Sequence, residues 1–173
     1  MLNASSVRKS AGFSIVELMI AVVIMAILMA LALPSFRTWM QNIQIRNAGG
    51  AITNGMQKAR GEAVARNTNV SFVLGTDSSW TVSVVNPASI IESRPSAETS
   101  GNVTVSVLPA GATTVTFNNF GVLVANGDGS ASITLIDLTA AGASRDMRVT
   151  IGVGGNARMC DPSLTTGSSP SAC

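Results

Sequence analysis

The chain has 173 residues, 46% of them hydrophobic and only 12% charged, a balance that suits one ordinary domain joined to a membrane-embedded segment. Its formal charge is +2, but Arg8 and Lys9 both precede Gly12, and the nine basic and nine acidic residues beyond cancel, so bulk electrostatics gives no reason to expect nucleic acid, an acidic membrane face or a charged substrate as partner. Histidine and tyrosine are absent, which removes the usual general base and the commonest metal ligand; no enzyme activity and no cofactor are expected.

Residues 1–12 carry the basic pair and end on Gly12. From Phe13 to Leu33 run 21 residues in which only Ser14 and Glu17 are polar. At about 1.5 Å per residue such a helix matches a bilayer core of about 30 Å. The basic pair just before it predicts a cytoplasmic amino end and export of everything after the span. A secretory signal would place a small-residue cleavage site after the apolar run. Leu31-Ala32-Leu33 offers only a weak one, and cutting there would discard the anchor. The small residue Gly12 instead precedes the run, and Glu17 is the fifth residue after it. An acid at membrane depth costs roughly 2.5–3.5 kcal/mol on insertion scales, so Glu17 needs a cation.

Beyond Pro34 the helix is predicted to continue as an amphipathic segment over 34–67. Ile45, Ala48, Ile52, Gly55, Met56, Ala59, Ala63 and Val64 recur at helical spacing, while Asn47, Asn54, Gln57, Lys58 and Glu62 fall elsewhere. Gly49 and Gly50 mark a point of bending or loosening, and Asn67, Thr68 and Asn69 a stop. Glu62 and Arg66 are spaced for an i,i+4 pair.

Residues 68–173 change to a period of two. Val70, Phe72 and Leu74 lead through a Gly75–Ser79 loop into Trp80, Val82 and Val84, a hairpin. Further strands are expected at 103–108, 113–117, 121–124, 131–138 and 147–151, in one antiparallel sheet laid on the amphipathic helix, with residues 86–102 as a long exposed loop. Asn126-Gly127-Asp128-Gly129 is a turn too short for a calcium loop of the helix-loop-helix kind, and Gly152-Val153-Gly154-Gly155-Asn156 lacks the helix and lysine of a phosphate cradle. Cys160 and Cys173 close a short polar tail; in an exported domain a disulfide, rather than two free thiols, is the expectation.

The stretch KSAGFSIVELMIAVVIMAILMALALP, Lys9 to Pro34, resembles the class III leader and anchor of type IV pilins and pseudopilins. That resemblance implies cleavage by prepilin peptidase between Gly12 and Phe13, and N-methylation of Phe13. It implies that Glu17 meets the amino terminus of a neighbouring subunit and sets the axial register of assembly, and that Pro34 is the family's helix-kinking proline. Two later segments, Met56 to Asn67 followed by Val70-Ser71-Phe72, and Thr116-Phe117-Asn118-Asn119-Phe120-Gly121, are similar to the GspH/FimT family of minor pilins and pseudopilins. The implied fold is α+β and pilin-like, a long N-terminal helix, transmembrane in its first half, packed on an antiparallel β-sheet domain.

The implied function is that of a minor type IV pilin, of the FimU/FimT kind, which primes pilus assembly or sits at the pilus tip in a minor-pilin complex. Its place would be the inner membrane, crossed once with the C-terminal domain in the periplasm, and then the pilus. Its partners would be other minor and major pilins, prepilin peptidase and the inner-membrane assembly proteins. Two alternatives stand beside it. One is a minor pseudopilin of type II secretion. The other is a DNA-binding minor pilin for natural transformation: Gly155-Asn156-Ala157-Arg158-Met159-Cys160 occupies the place where such proteins carry Gly-Arg-x-Arg beside a cysteine, and only Gly155 and Arg158 match. Arg145 and Arg148 could join Arg158 on phosphates, with Asp146 between them and Asp161 close by.

Overall fold

The computed structural model describes residues 12–75, 77–95, 98, 101–165, 167 and 169–173; Arg8 and Lys9 of the expected leader lie outside these. The chain divides into two compact units, Met1–Arg37 and Thr38–Cys173. Helix α1, Ile15–Arg66, begins in the first and ends in the second. Within the first unit every described residue is exposed, and α1 there is long and apolar enough to cross a membrane.

In the second unit α1 buries Ile45, Ala48, Gly49, Ala51, Ile52, Gly55, Met56, Ala59 and Ala63. Val64, expected on the same face, is 52% exposed. One residue turns the helix by about 100°, which carries Val64 past the edge of the stripe that Ala63 still belongs to. The stop signal is a left-handed cap. Asn67 has φ 51°, its N–H donates to the Val64 carbonyl, and the Thr68 N–H reaches back to Ala63. These are the two bonds that satisfy the last carbonyls in a Schellman motif. The Asn67 side-chain oxygen also accepts from the Asn119 amide at 3.0 Å, tying the helix end to the domain.

Nine strands follow: β1 (Val70–Leu74), β2 (Trp80–Val84), β3 (Ser89–Arg94), β4 (Val103–Leu108), β5 (Thr114–Phe117), β6 (Leu123–Val124), β7 (Leu135–Ala140), β8 (Met147–Ile151) and β9 (Ala157–Cys160). They form two sheets rather than the expected one, in the orders β3-β2-β1-β5-β6 and β4-β7-β8-β9, with every adjacent pair antiparallel. The split lets both sheets reach the helix. An ideal Cβ on Gly49 would meet Met159 and Leu138 of the second sheet at 2.7 and 3.1 Å, and one on Gly55 would meet Phe72 and Trp80 of the first at 2.8 and 3.0 Å. Gly49 is therefore a close-packing position in a continuous helix, not a loosened one; Gly50, its neighbour, faces open space. Phe72, Phe117, Ile133, Ile136 and Leu138 are fully buried between these layers.

Two elements lie outside the expected strands. β3 occupies part of 86–102 as an edge strand on β2, with a register shift between Val82 and Ser83. Its polar, mostly exposed face hid it, and Lys58 of the helix pairs with its Glu92. β9 occupies the segment around Arg158 and pairs with β8, matching Thr150 to Arg158 and Val149 to Met159.

Candidate functional site

The amino-terminal end carries the first set of candidate residues. Gly12 and Phe13 precede the helix in exposed backbone, Phe13 at 83% exposure. Ser14 is the cap: its Oγ accepts the Glu17 N–H at 3.2 Å, and its carbonyl accepts the Leu18 N–H. Ser14 and Glu17 thus hold the N-cap and N3 places of a capping box, a Ser-x-x-Glu pattern readable in the sequence but not used there. In the first turn Glu17 also faces the positive end of the helix dipole. Its carboxylate is exposed, and among the described residues no cation lies within ion-pair range. Pro34 lies inside α1 and donates no backbone hydrogen bond, while the Ser35 hydroxyl donates to the Ala32 carbonyl at 2.9 Å.

The second set lies at the open end of β9. Cys160 and Cys173 form a disulfide across Cα atoms 5.0 Å apart. Arg158 Nη2 donates to the carbonyls of Pro170 and Ala172 at 2.7 and 3.1 Å, and the Asp161 N–H donates to Ser171 at 2.7 Å. The buried Asp161 carboxylate accepts from the Ser163 hydroxyl and N–H at 2.6 and 2.9 Å. The Ser163 hydroxyl holds it below the usual carboxylate value, against the opposing effect of burial and with help from the Ser163 N–H and the Arg145 charge. Arg148 is bound elsewhere, in a two-point pair with Asp137 at 2.6 and 3.0 Å across β7 and β8, which raises its pKa. Two of the three arginines that could have shared a phosphate are therefore engaged apart from one another, Arg148 by Asp137 and Arg158 as a latch on its own tail.

The Asn126 turn is a hydrogen-bond hub. Its buried amide donates to Thr114 O, Ser130 O and Ser130 Oγ, and its oxygen accepts from Thr116 at 2.8 Å. Asp128 accepts from the Ser130 hydroxyl at 2.7 Å and the Ser130 N–H at 2.9 Å, which lowers its pKa in that order. Asn118 organises the Phe120–Gly121 turn in the same way, accepting from the N–H groups of Phe120 and Val122. These polar groups serve their own loops.

Comparison with known sequences bears on this arrangement directly. The family described as Type II transport protein GspH matches residues 48–155, and the Prokaryotic N-terminal methylation motif matches residues 7–33. The chain belongs to the GspH family. The GspH match starts within the buried face of α1 and runs through both sheets to the β8–β9 turn, and the methylation motif covers the exposed apolar helix with Glu17. No match to a curated protein sequence is found. Among solved structures, the Pseudomonas aeruginosa (strain PAO1) type IV minor pilin FimU is similar in two crystal forms at 16% identity. The TM-scores are 0.51 and 0.50, covering 74% and 78% of this chain and 98% of FimU. At that identity the likeness is one of fold, and it places this GspH-family chain in the α+β pilin-like class. Its membership makes it a pilin or pseudopilin, an assembling protein of a membrane-associated machinery.

Proposed function

We propose that the chain is a minor subunit of a type IV pilus, cut between Gly12 and Phe13, N-methylated on Phe13, and held in the inner membrane until it joins a filament. The carboxylate of Glu17 then pairs with the amino terminus of a neighbouring subunit, while Pro34 kinks the helix as it packs. The domain would face the periplasm, and the subunit would prime assembly or occupy the tip among other minor pilins, alongside major pilins, prepilin peptidase and the inner-membrane assembly proteins. It would catalyse nothing; its work is association. The observation that carries this is Glu17, an exposed acid with no ion pair among the described residues, in the first turn of a helix whose apolar residues 15–37 are all exposed. Leaving it unpaired at membrane depth costs roughly 2.5–3.5 kcal/mol, which a neighbour's amino group offsets.

The test is pilus incorporation of Glu17→Ala and Glu17→Gln, with the amino terminus of the mature chain read by mass spectrometry. Both variants should be cleaved and remain in the membrane yet be lost from sheared filaments. Normal incorporation of Glu17→Ala, or a mature chain still carrying residues 1–12, would overturn the proposal. The description of the matching family favours a second reading, a pseudopilin of type II secretion. Deletion of the gene separates the two: loss of piliation supports the first, loss of protein secretion with pili intact the second. DNA binding is not favoured, because the Arg158 guanidinium is engaged by two tail carbonyls.

A further inference from the structure

Where α1 ends, three segments of the domain meet at Gly121. An ideal Cβ on Gly121 would lie 3.0 Å from Arg60 Nε and 3.3 Å from Val64 Cγ2, and one on Gly155 would lie 2.5 Å from the Gly121 carbonyl oxygen. Both glycines are buried, with φ 72° and 79°, so the last turns of the helix, the β5–β6 turn and the β8–β9 turn close on a point that no side chain could occupy. The turns are also held from within. Asn118 accepts from the Phe120 and Val122 N–H groups, and the Gly155 N–H donates to the Gly152 carbonyl. Around this rigid junction apolar side chains point away from the core: Phe120 is 77% exposed and Val153 92%, with Val64 and Val122 exposed beside them. Arg60, in their midst, has no hydrogen bond or ion pair among the described residues.

We propose that this junction docks a different subunit of the same assembly, through an apolar surface of that subunit bearing a carboxylate that Arg60 receives. The inference rests on the filament reading above and names the surface it would use. An aromatic ring and an arginine amid aliphatic side chains are what the centres of protein interfaces are enriched in. The exposed apolar side chains offer on the order of 400 Å², the size of patch that marks an interaction site. That falls well short of the roughly 800 Å² per partner that a free-standing complex buries. Such a contact forms where something else already holds the two chains side by side, as packed helices do in an assembling family. Charge excludes a second copy as the occupant. Two-fold pairing of this patch would set Arg60 against its own equivalent. Head-to-tail stacking would bring up the end where the helix enters the domain, about 21 Å away by the rise from Arg46 to Arg60. There Arg46 and Arg145 line one cavity and outnumber Asp146. The partner is therefore a chain with another charge pattern.

The test uses the full chain in cells that make the filaments, with a photo-reactive benzophenone side chain in place of Phe120, of Val153 or, as a control on the edge of the first sheet, of the similarly exposed Ile90. Illumination should link positions 120 and 153 to one other subunit that carries a methylated amino terminus of its own, identified by mass spectrometry through a linked peptide containing Asp or Glu. Position 90 should not reach it. Arg60→Glu should cut the yield from position 120 about ten-fold, and reversing the linked acid of the partner to lysine should restore it, which it would not do for a chain that had merely misfolded. Val153→Glu, at a site too exposed to disturb folding, should lower the yield from position 120 as well. Links to a second copy or to a protein outside the assembly, equal linking from position 90, or an Arg60→Glu loss that charge reversal does not rescue would overturn this inference. Normal entry into sheared filaments with no link from position 120 would overturn it alone, whereas a wild-type chain absent from filaments would overturn the filament reading with it.

Discussion

Replacing Gly55 with alanine sets two effects of known sign against each other. Alanine in place of glycine inside a helix stabilises it by about 1 kcal/mol. At Gly55, however, the new methyl would stand 2.8 Å from Phe72 and 3.0 Å from Trp80, two buried rings that themselves pack with centroids 5.9 Å apart and have little room to withdraw. Overpacking of this kind costs about 1–3 kcal/mol. Gly61, six residues on in the same helix, faces open space and reports the propensity gain alone. The expected order of stability is therefore Gly61→Ala above wild type and Gly55→Ala below Gly61→Ala by the steric cost. At about 2–4 °C per kcal/mol for a chain of this size, Gly61→Ala should raise Tm by about 3 °C, while Gly55→Ala should leave it unchanged or lower it by up to about 6 °C. Gly49→Ala belongs between them, since the methyl meets chiefly the sulfur of Met159, the end of a flexible side chain. Thermal unfolding of the detergent-solubilised full chain, followed by the emission of the buried Trp80, measures all three. A Gly55→Ala variant as stable as Gly61→Ala would refute the close approach of helix to sheet.

Other consequences can be checked in the same preparation. Cys160→Ser should remove up to about 3 kcal/mol, the chain-entropy value for so short a loop, and hydrogen exchange should place the loss in residues 161–173 rather than in the sheets. Asp161 has a folded pKa below its unfolded one, so its contribution is present above the unfolded value of 3.8 and is lost as pH falls through the lower folded value; acid should loosen the tail of the wild type, and Asp161→Asn should abolish that pH dependence. Asn67→Ala should cost about 1–2 kcal/mol from the left-handed backbone, beyond the loss of the Asn119 bond, whereas Asn67→Gly should keep the cap and lose only that bond. Asn126→Ala leaves Thr116 and Thr114 without their buried partner and should cost about 1–3 kcal/mol, measured by denaturant titration.

The helix and most strands were legible because their buried residues repeat at the right periods. Ile45 to Ala63 follow 3.6, and Val70, Phe72 and Leu74 follow two, each with one side against the core. β3 escaped because an edge strand needs no buried alternation: Ile90 is 73% exposed, and the strand is held by its ladder to β2 and by Lys58 on Glu92. β9 escaped because only Cys160 on it is fully buried. The split into two sheets depends on where Gly49 and Gly55 admit the helix, a relation between distant side chains that no local pattern carries. At the candidate sites, Glu17 stood out as an acid in an apolar run, and the cysteine spacing announced the bridge. The engagement of Arg158 with tail carbonyls and the contact of Gly121 with Gly155 could not be read, since each joins positions that the chain brings together only on folding.

The tail that folds back on β9 has one more effect. By bridging Asp161 to Ala172 and occupying Arg158, it blunts the outermost strand of the second sheet at its exit end. Bare strand edges invite pairing with other chains. Where several copies of this domain crowd together, that shield discourages haphazard zippering of one sheet onto another.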